Sequence, residues 1–402
     1  MNLLKKLLER RSSAMNISDS AFSAFYGAGS SYVNSDRAAQ HVVIHRCVQL
    51  IAETLSMVPC RLYRIADNNG RESAQEHPLY NVLQDQFNPG LTAFEGREWL
   101  IASLMVNGNA YAKKEYNNAG QVIGLYPIAP NRVMVERLPS GRIRYSLQNL
   151  NGTTEILLQE EMLHIRYRTK DGYLGISPIQ HAMPHVGLSM DQLEQVADQT
   201  KNGFRAPGAL VSPNNLTDTN RTHIREAFKN QFTGFMKAGV PMLLDGGFKW
   251  ESFNIPAKDA EFLESRKLSN LDLCRIYGVP PSAVGITDNA TYSNIGEESR
   301  ALVQRCIAPM AARAEQAMNM ALLTPENRKT LFIEHDLQGL LRGDLSARYA
   351  AYKTGREAGF LSANEIRKFE NMPKIEGGDE YLSPLNMTLA GNRAESTAQN
   401  AN

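Results

Sequence analysis

The stretch "GVPPSAVGITDNATYSNIGEESR", residues 278–300, separates two segments of strong helical periodicity and has no apolar periodicity of its own. Its two adjacent prolines lack the amide hydrogen that a helix requires, so the preceding helix must end near Gly278. Asn294 and Glu297 have the spacing of a capping box, which predicts a new helix from Ile295. The sequence therefore predicts a loop of about fifteen residues, a length that compact domains usually keep for a function.

Two long helices are predicted before this loop. The first begins at Pro178 and continues to about residue 205, with Pro184 inside it predicting a kink or a later start. The second covers residues 259–277. The segment between them predicts two strands, "PGALVSP" and "PMLLDGGFKWESFNI", around the helix "NRTHIREAFKNQFTGFM". A small module is therefore expected at the shared tip of two long helices.

After the loop, a helix is predicted over residues 295–323, bent by Pro309 in its interior. The stretch "TLFIEHD" alternates as a strand does, and helices follow at residues 344–358 and 363–371. A tail that contains glycine and proline begins at Pro373.

The first half of the chain predicts an α+β domain behind a flexible arm rich in Ser, Ala and Gly, with order beginning near Asp36. Two helices are expected, one ended by Pro59 and one over residues 93–107. The apolar stripe of the first helix comprises Val42, Val43, Cys47, Leu50, Ile51 and Leu55. The stretches "NAYAKKEY", "VIGLYPI", "RVMVERL", "IRYSLQN" and "MLHIRYR" then predict a meander of short antiparallel strands.

The composition is ordinary for a soluble chain and bounds the function. Of 402 residues 43% are hydrophobic, and 43 Lys and Arg stand against 42 Asp and Glu, a net charge of +1. A tight non-specific nucleic-acid binder would carry a basic excess, so any contact with DNA must be local or loose. No apolar run has signal-peptide or membrane-spanning length, so a cytosolic protein without membrane contact is expected.

Sequence signatures of common enzymes and of metal sites are missing. The chain has no phosphate-binding Gly-rich loop, no dinucleotide fingerprint, no His-Glu-x-x-His and no Gly-x-Ser-x-Gly. Two histidine pairs, His41 with His45 and His181 with His185, have i, i+4 spacing, but no carboxylate stands at metal-ligand spacing, so packing or surface positions are favoured over zinc. The four cysteines lack C-x-x-C spacing and are expected to be buried apolar residues. No cofactor is therefore expected.

Charged and aromatic side chains of the long helices and the module each leave two interpretations open. The second long helix carries Glu261, Glu264, Asp272, Arg266, Lys267 and Arg275. This face is either a solvated or intersubunit salt-bridge surface, or its basic members face DNA. The module carries a surface charge pattern of Arg221, Arg225, Lys229 and Lys237. Its aromatic residues Phe228, Phe232 and Phe235 have helical spacing, which favours a core over a base-stacking platform.

The order of these segments resembles the HK97-type portal proteins of tailed bacteriophages, which form the ring at the DNA doorway of the capsid. Four stretches carry the resemblance across about residues 36–387: "NGNAYAKKEYNNAGQVIGLYPIAPNRVMV", "DGYLGISPIQHA", "YGVPPSAVGITDNATYSNIGEESR" and "LLRGDLSARYAAYKTGREAGFLSANEIRKFENMPKIEGGDEYLSPLN". The resemblance implies the α+β portal fold assembled as a cyclic ring. It divides the chain into an N-terminal arm (1–35), wing (36–177), stem helices (178–205 and 258–278), clip (206–257), tunnel-loop region (279–294), kinked helix with the return strand of the wing (295–340), crown (341–387) and disordered tail (388–402).

The resemblance also implies function and partners. The ring, of about twelve subunits, would package and eject double-stranded DNA at one capsid vertex, and the protein would pass through the host cytoplasm during assembly. Its further partners would be the large terminase subunit, a head-tail adaptor, and the major capsid and scaffolding proteins. The tunnel loop would comprise Thr287, Asp288, Asn289, Ala290, Thr291, Tyr292, Ser293 and Asn294. Glu261, Glu264, Arg266 and Lys267 would contribute to subunit or channel contacts, and the four module cations to motor or adaptor docking.

A structural DNA conduit, and not an enzyme, is the leading hypothesis. The main rival is a packaging enzyme, but a motor would require the missing phosphate-binding loop and a nuclease a cluster of metal ligands. A monomeric head adaptor is the third possibility, and native mass distinguishes it from a ring.

Overall fold

The computed structural model describes residues 15–16, 35–66, 70–201, 208–211, 222, 249–252, 258–287, 292–341, 345–370 and 372–382. The chain divides between Asp336 and Leu337 into two compact units. The helices of the first unit are α1 (Ser35–Ala39), α2 (Val42–Met57), α3 (Pro78–Gln84), α4 (Ala93–Asn107), α5 (Pro178–His181), α6 (Met183–Lys201), α7 (Lys258–Tyr277), α8 (Tyr292–Leu302) and α9 (Ala308–Leu322).

The strands of the first unit are β1 (Met15–Asn16), β2 (Cys60–Ile65), β3 (Arg71–Ser73), β4 (Gln86–Asn88), β5 (Leu91–Thr92), β6 (Asn109–Tyr116), β7 (Val122–Ile128), β8 (Val133–Arg137), β9 (Ile143–Gln148), β10 (Thr154–Leu158), β11 (Met162–Arg166), β12 (Arg168–Thr169), β13 (Gly175–Ile176), β14 (Gly208–Val211), β15 (Lys249–Ser252) and β16 (Leu331–His335). Every pairing among them is antiparallel. Strand β16 pairs with β2 in the register Phe332 to Tyr63, so the strand predicted near Phe332 is confirmed and lies against the first half of the chain.

The predicted meander of antiparallel strands divides into two sheets, with the break between β7 and β8. One has the order β1-β8-β9-β10 and the other β11-β6-β7, with β11 pairing to β6 in the register Leu163 to Ala112. Strand β10 was not predicted, and β1 lies within the arm that was expected to be flexible, pairing Met15 with Arg137. The pairing of distant strands depends on which faces bury together, which local patterns do not determine.

The buried face of both sheets forms one core. Tyr111 and Ile128 come from the three-stranded sheet, and Val135, Tyr145 and Leu157 from the four-stranded one, all below a tenth exposed. Side chains alternate between the two faces of a strand, so alternate residues of these strands supply the core. Each fully buried side chain of this size contributes about 2 kcal/mol to folding through the area it removes from water.

Helices α2 and α4 pack together. Helix α4 spans the predicted residues 93–107, because the capping box of Thr92 and Glu95 starts it and Gly108, with φ of 74°, ends it. The helical conformation is interrupted between α1 and α2. There Nδ1 of His41 accepts the Val43 N–H at 3.3 Å and caps the start of α2. Val42 is 79% exposed and was wrongly placed in the apolar stripe, since it is the first helical residue.

The first long helix is two helices, with a break at Ala182. Pro184 has no N–H to donate to the carbonyl of residue 180, so a regular helix cannot run through this point and α6 starts anew at Met183. The prediction of a kink or later start at Pro184 is confirmed. The second long helix, α7, has the predicted bounds within one residue.

The helix predicted from Ile295 begins at Tyr292, so Tyr292, Ser293 and Asn294 are helical and not part of the loop, which corrects the predicted boundary. A single helix bent at Pro309 was predicted, whereas the structure has a π-helical turn, Val303–Ile307, between α8 and α9. Pro309 lies in the first turn of α9, where its missing N–H is tolerated, and the wider turn before it accommodates the ring.

The second unit contains α10 (Gln338–Leu341), α11 (Leu345–Glu357) and α12 (Ala363–Phe369), so both predicted C-terminal helices are confirmed. The Arg348 guanidinium lies 2.8 Å from the Glu370 carboxylate, which also accepts the Tyr352 hydroxyl at 2.9 Å. These contacts join α11 to the end of α12.

Within the predicted tip module the structure describes the β14–β15 pair, in the register Leu210 to Trp250, and residue 222. Both strands lie in the two stretches predicted to contain them. The rest of the predicted module helix lies outside the described residues.

Candidate functional site

The loop that follows α7 begins at a helix end of defined geometry. Gly278, with φ of 67°, donates to the Arg275 carbonyl at 3.2 Å, and Val279 donates to the Cys274 carbonyl at 3.1 Å. These two hydrogen bonds form a Schellman motif, and Val279 is buried beside it. The sequence signal for this end was the Gly-Val-Pro-Pro run, in which the glycine takes the left-handed conformation and the prolines prevent continuation.

The two ends of the loop are held together. The hydroxyl of Ser282, in a short 3₁₀ turn over Pro281–Val284, donates to the Glu298 carboxylate on α8. Gly285, with φ of 86°, ends the 3₁₀ turn, and Thr287 beyond it is exposed. The chain before the loop and helix α8 after it are therefore joined by a side-chain hydrogen bond.

Of the eight predicted tunnel-loop residues, Thr287 lies in the loop as expected. Asp288, Asn289, Ala290 and Thr291 lie outside the described residues. The remaining three form the first turn of α8, so the loop between Gly285 and α8 is shorter than predicted.

Helices α6 and α7 pack as an antiparallel pair, and their contact contains hydrogen bonds between small polar side chains. The Gln192 amide donates to the Ser265 hydroxyl at 2.9 Å. Ser189, one turn before Gln192, is 3.1 Å from Nε2 of His41, which joins the pair to the start of α2. Burial, followed by the charge of Arg266, lowers the pKa of His41, so this histidine is neutral in the contact.

The start of α5 is anchored by a side-chain clamp that sequence reasoning did not identify. The Asn109 amide pairs with both backbone polar atoms of Gly175: Oδ1 accepts the Gly175 N–H at 2.8 Å, and Nδ2 donates to the Gly175 carbonyl at 2.8 Å. Ser177 then donates to the Val106 carbonyl at 2.6 Å and caps α5. The clamp fixes the end of α4 to the chain that leads into the long helices.

Close backbone contact makes glycine necessary at this clamp. A Cβ on Gly175 would lie 1.9 Å from the Gly108 carbonyl oxygen, a distance that no packing rearrangement of side chains relieves. Gly108 itself has φ of 74°, and its carbonyl accepts the Tyr167 N–H at 2.8 Å. Both glycines stand in stretches quoted for the family resemblance, the only sequence signal for this contact.

A partly buried histidine forms hydrogen bonds to the clamp. His164 Nε2 lies 3.0 Å from Asn109 Oδ1, and Nδ1 lies 3.2 Å from the Tyr145 hydroxyl. Burial, and then the charge of Arg166, lowers the pKa of His164 to about 3. A neutral ring with its hydrogen on Nε2 donates to Asn109 and accepts from Tyr145, which satisfies all three groups.

Helix α9 is tied to the same region by two cations. Arg313 donates to the carbonyls of Arg166, at 3.1 Å, and Tyr167, at 2.6 Å, and stacks 5.2 Å from the Tyr167 ring. Lys114 donates to the Ala321 carbonyl at 2.7 Å, and burial lowers its pKa to about 8. The base of the long helices is therefore a rigid junction of α4, β11, α5 and α9.

The predicted charged residues of α7 differ in their surroundings. Glu264 and Lys267 are exposed and Arg266 is partly buried, while the side chain of Glu261 lies outside the described residues. Asp272 and Arg275 pair with each other at 2.6 Å. The four module cations Arg221, Arg225, Lys229 and Lys237 also lie outside the described residues.

The described side chains give no metal-binding cluster of three or more His, Cys, Asp or Glu residues. His41 and His45 separate, the first buried and the second exposed. All four cysteines are buried and free, as the sequence predicted. None of the described helices is long and apolar enough to cross a membrane.

Comparisons with known proteins agree on one family. A family model described as "Phage portal protein" matches residues 42–371. The portal protein of Enterobacteria phage HK97 is 32% identical over 355 residues, covering 87% of this chain and 83% of the relative. A probable portal protein of Streptomyces phage phiC31 is 25% identical, covering 89% and 80%.

Solved structures share the fold. The neck of an empty gene transfer agent particle matches with a TM-score of 0.60 and 24% identity, covering 82% of this chain and 90% of that one. An HK97-family portal protein from Corynebacterium diphtheriae matches with a TM-score of 0.56 and 17% identity, covering 76% and 96%. The α+β class expected from the sequence is confirmed by this likeness.

Proposed function

We propose, from the premise that this chain belongs to the phage portal protein family, that its copies form a closed ring at one capsid vertex through which double-stranded DNA is packaged and later ejected. The observation that carries the proposal is the family match over residues 42–371, which includes both long helices, the loop and the rigid junction. In a DNA conduit, the long helices and the junction would form the wall of the channel. The loop would extend from this wall toward the DNA.

The loop after α7 is the proposed contact with moving DNA. Its predicted residues 287–294 include one charged side chain, Asp288, and no lysine or arginine. A basic collar would hold the duplex through release of counterions, whereas a polar, weakly interacting collar lets it slide. The Ser282–Glu298 hydrogen bond supports this role, because it joins the chain before the loop to the helix after it.

Ring closure follows from a head-to-tail interface repeated around one axis, and the family resemblance implies about twelve copies. We assign part of this interface to the charged residues of α7, Glu261, Glu264, Arg266 and Lys267. The exposed positions of Glu264 and Lys267 support the assignment. Mixed-sign surfaces of this kind add specificity and register to an interface more than they add affinity.

The tip module is proposed to dock the large terminase subunit during packaging and a head-tail adaptor afterwards. Arg221, Arg225, Lys229 and Lys237 are the candidate contacts. Assembly with major capsid and scaffolding proteins would take place in the host cytoplasm, and the finished ring would reside in the virion.

The protein is proposed to be structural and not catalytic. The described residues contain no metal-binding cluster, and the sequence contains no phosphate-binding Gly-rich loop. Purified protein should therefore show neither ATP turnover nor Mg²⁺-dependent nuclease activity. Clear turnover in either assay would favour a packaging enzyme.

The first experiment is native mass spectrometry with negative-stain imaging of the full-length protein at moderate salt. A closed ring of about twelve 44.7 kDa subunits with a central hole is expected. A stable monomer under all conditions, including added capsid and scaffolding proteins, would contradict ring formation and favour a head adaptor.

A further inference from the structure

A cavity of about 720 Å³ opens at the base of the two long helices, beside the β12–β13 hairpin. We name it the stem-base cavity. Its rim includes Arg168 and Lys170 from the hairpin, and Asp272 and Arg275 from α7. Its volume lies within the range of pockets that bind small ligands.

The rim is cationic. The lining has three permanent cations, Arg168, Lys170 and Arg275, and one carboxylate, Asp272. Asp272 is already paired with Arg275 at 2.6 Å, and Nδ1 of His185 lies 4.0 Å from its other oxygen. The fixed charge of the rim therefore favours an anionic occupant.

Part of the lining is apolar, and we name this part the floor. It comprises Ile176, Pro178, Ile276 and the Tyr167 ring. An inorganic anion would gain nothing from this surface, whereas an aliphatic side chain of a ligand would be removed from water there.

The walls are held rigidly. Arg313 binds the carbonyl of Tyr167 at 2.6 Å, and the Asn109 clamp holds Gly175 next to Ile176. Ser177, also in the lining, is fixed by its hydrogen bond to Val106. A preformed site binds a ligand without the cost of ordering its own walls.

We propose that the stem-base cavity is a docking site for an acidic peptide segment of a partner protein. Its carboxylates would pair with Arg168 and Lys170, and an apolar side chain between them would cover Ile176 and Ile276. The concave shape and apolar floor favour a peptide over a DNA duplex, which presents phosphates on a convex, wholly polar surface. The proposal concerns a partner and does not depend on DNA passing through the ring.

Fluorescence anisotropy tests it on the purified full-length protein in its assembled state. The probe is a fluorescein-labelled peptide, Asp-Leu-Glu-Leu-Asp-Leu, and the charge control is the basic analogue Lys-Leu-Lys-Leu-Lys-Leu, in which lysine replaces each acidic residue. The acidic peptide should bind, with an affinity that falls as salt rises, and the basic analogue should not. Reversing both hairpin charges, Arg168→Glu with Lys170→Glu, should weaken binding at least about tenfold, because charge-assisted contacts are lost.

Two further variants make the test specific. Asp272→Asn removes the single rim carboxylate and should tighten binding severalfold. Arg328→Glu with Lys329→Glu reverses two exposed charges that do not line the cavity and should leave binding unchanged. Failure of the wild-type protein to bind the acidic peptide, or equal binding by the hairpin double variant, would overturn the proposal. So would displacement of the peptide by a short DNA duplex, which would make the cavity a phosphate site.

Discussion

The side-chain amide of Asn109 forms a two-way hydrogen-bonded pair with the backbone of Gly175, with both distances 2.8 Å, across 66 residues of sequence. An asparagine amide has an oxygen that accepts and a nitrogen that donates, so a single side chain can pair with both polar atoms of one backbone residue. This pair joins the end of α4 to the start of the long helices. Two of the sequence stretches typical of the family therefore meet in one contact.

Replacing Asn109 with Ala should lower the free energy of unfolding by about 1–3 kcal/mol, because Gly175 and His164, both partly buried, lose their hydrogen-bond partner. Urea denaturation of the full-length protein measures the loss. Asn81→Ala, at an exposed position on α3, is the matched control and should change stability by less than about 0.5 kcal/mol. Equal effects of the two changes would show that the clamp contributes no more than a surface residue.

Substituting Gly175 with Ala should be more damaging than the Asn109 change, since the new Cβ would lie 1.9 Å from the Gly108 oxygen and must displace backbone. We expect a large loss of soluble folded protein or a marked fall in melting temperature. Gly296→Ala in α8 meets no atom within 4 Å and should be neutral or stabilise by up to about 1 kcal/mol. A Gly175→Ala protein as stable as wild type would mean that the two backbone segments are not in contact.

Because the pKa of His335 is raised in the folded state, the protein should lose stability as the pH rises into the mildly alkaline range. Burial lowers its pKa, but Cys60 and Glu315 outweigh burial and raise the pKa from 6.5 to about 9. Its Nδ1 lies 3.0 Å from the Glu315 carboxylate, which also accepts the backbone N–H of His335 at 2.7 Å. The folded state therefore holds a proton that the unfolded state releases above pH 6.5, so the stabilisation is complete below pH 6.5 and disappears as pH rises through about 9.

Between pH 6.5 and 9 the free energy of unfolding of the wild-type protein should therefore fall by about 2–3 kcal/mol more than that of the His335→Gln variant, whose side chain does not titrate. Urea titrations of both proteins at several pH values give this difference, and using the difference cancels the other titrating groups. Parallel pH profiles would show that His335 is not protonated in the fold.

Adding positive charge to the loop should slow the movement of DNA through the channel. Asn289→Lys with Thr291→Lys places two cations in each subunit, and the ring would multiply them, which strengthens phosphate binding in a salt-dependent way. Rings should form normally, while the yield of DNA-filled particles falls. The uncharged pair Asn289→Gln with Thr291→Ser is the control for side-chain change alone, and normal packaging by the lysine variant would contradict the proposed contact.

Shortening the loop tests the same contact without charge. Because α8 begins at Tyr292, the replacement by a Gly-Ser turn should be confined to residues 288–291 and leave the Ser282–Glu298 pair in place. Folding and ring formation should survive, and packaging or retention of DNA should be impaired. If the variant gave DNA-filled, infectious particles at the wild-type level, the loop would not be needed for packaging or retention of DNA.

Charge reversal on α7 tests the ring interface. Glu264→Lys should reduce the fraction of protein in rings and change its dependence on salt, by a modest amount because exposed pairs contribute about 0–1 kcal/mol each. Repetition around a ring makes such small changes measurable by native mass spectrometry. Glu326→Lys, an exposed reversal on the loop before β16, should have no effect, and identical behaviour of both variants would exclude Glu264 from the interface.

Local signals predicted much of the secondary structure. Helix α4 has the predicted bounds because a capping box and a left-handed glycine mark its ends. The end of α7 was equally clear from glycine followed by two prolines. The start of α8 was misplaced, because Asn294 and Glu297 match the capping-box pattern although the helix already includes Asn294.

The candidate site was less predictable than the elements that carry it. The loop, the long helices and the charged residues of α7 could be named from the sequence, since each depends on neighbours in the chain. The Asn109 clamp, His164 and the cation Arg313 could not, because each is defined by a partner more than 50 residues away. The stem-base cavity likewise draws its lining from two distant segments.

By itself, the sequence determined the order and kind of most elements, the polar character of the loop and the resemblance to a family, because composition, periodicity and turn residues are local properties. Only the tertiary structure decided that the predicted meander divides into two sheets, that the chain before α5 is clamped to the end of α4, and that a cationic cavity opens beside it. These features depend on which distant surfaces bury together, and that choice follows from the packing of the whole unit and not from any stretch of it.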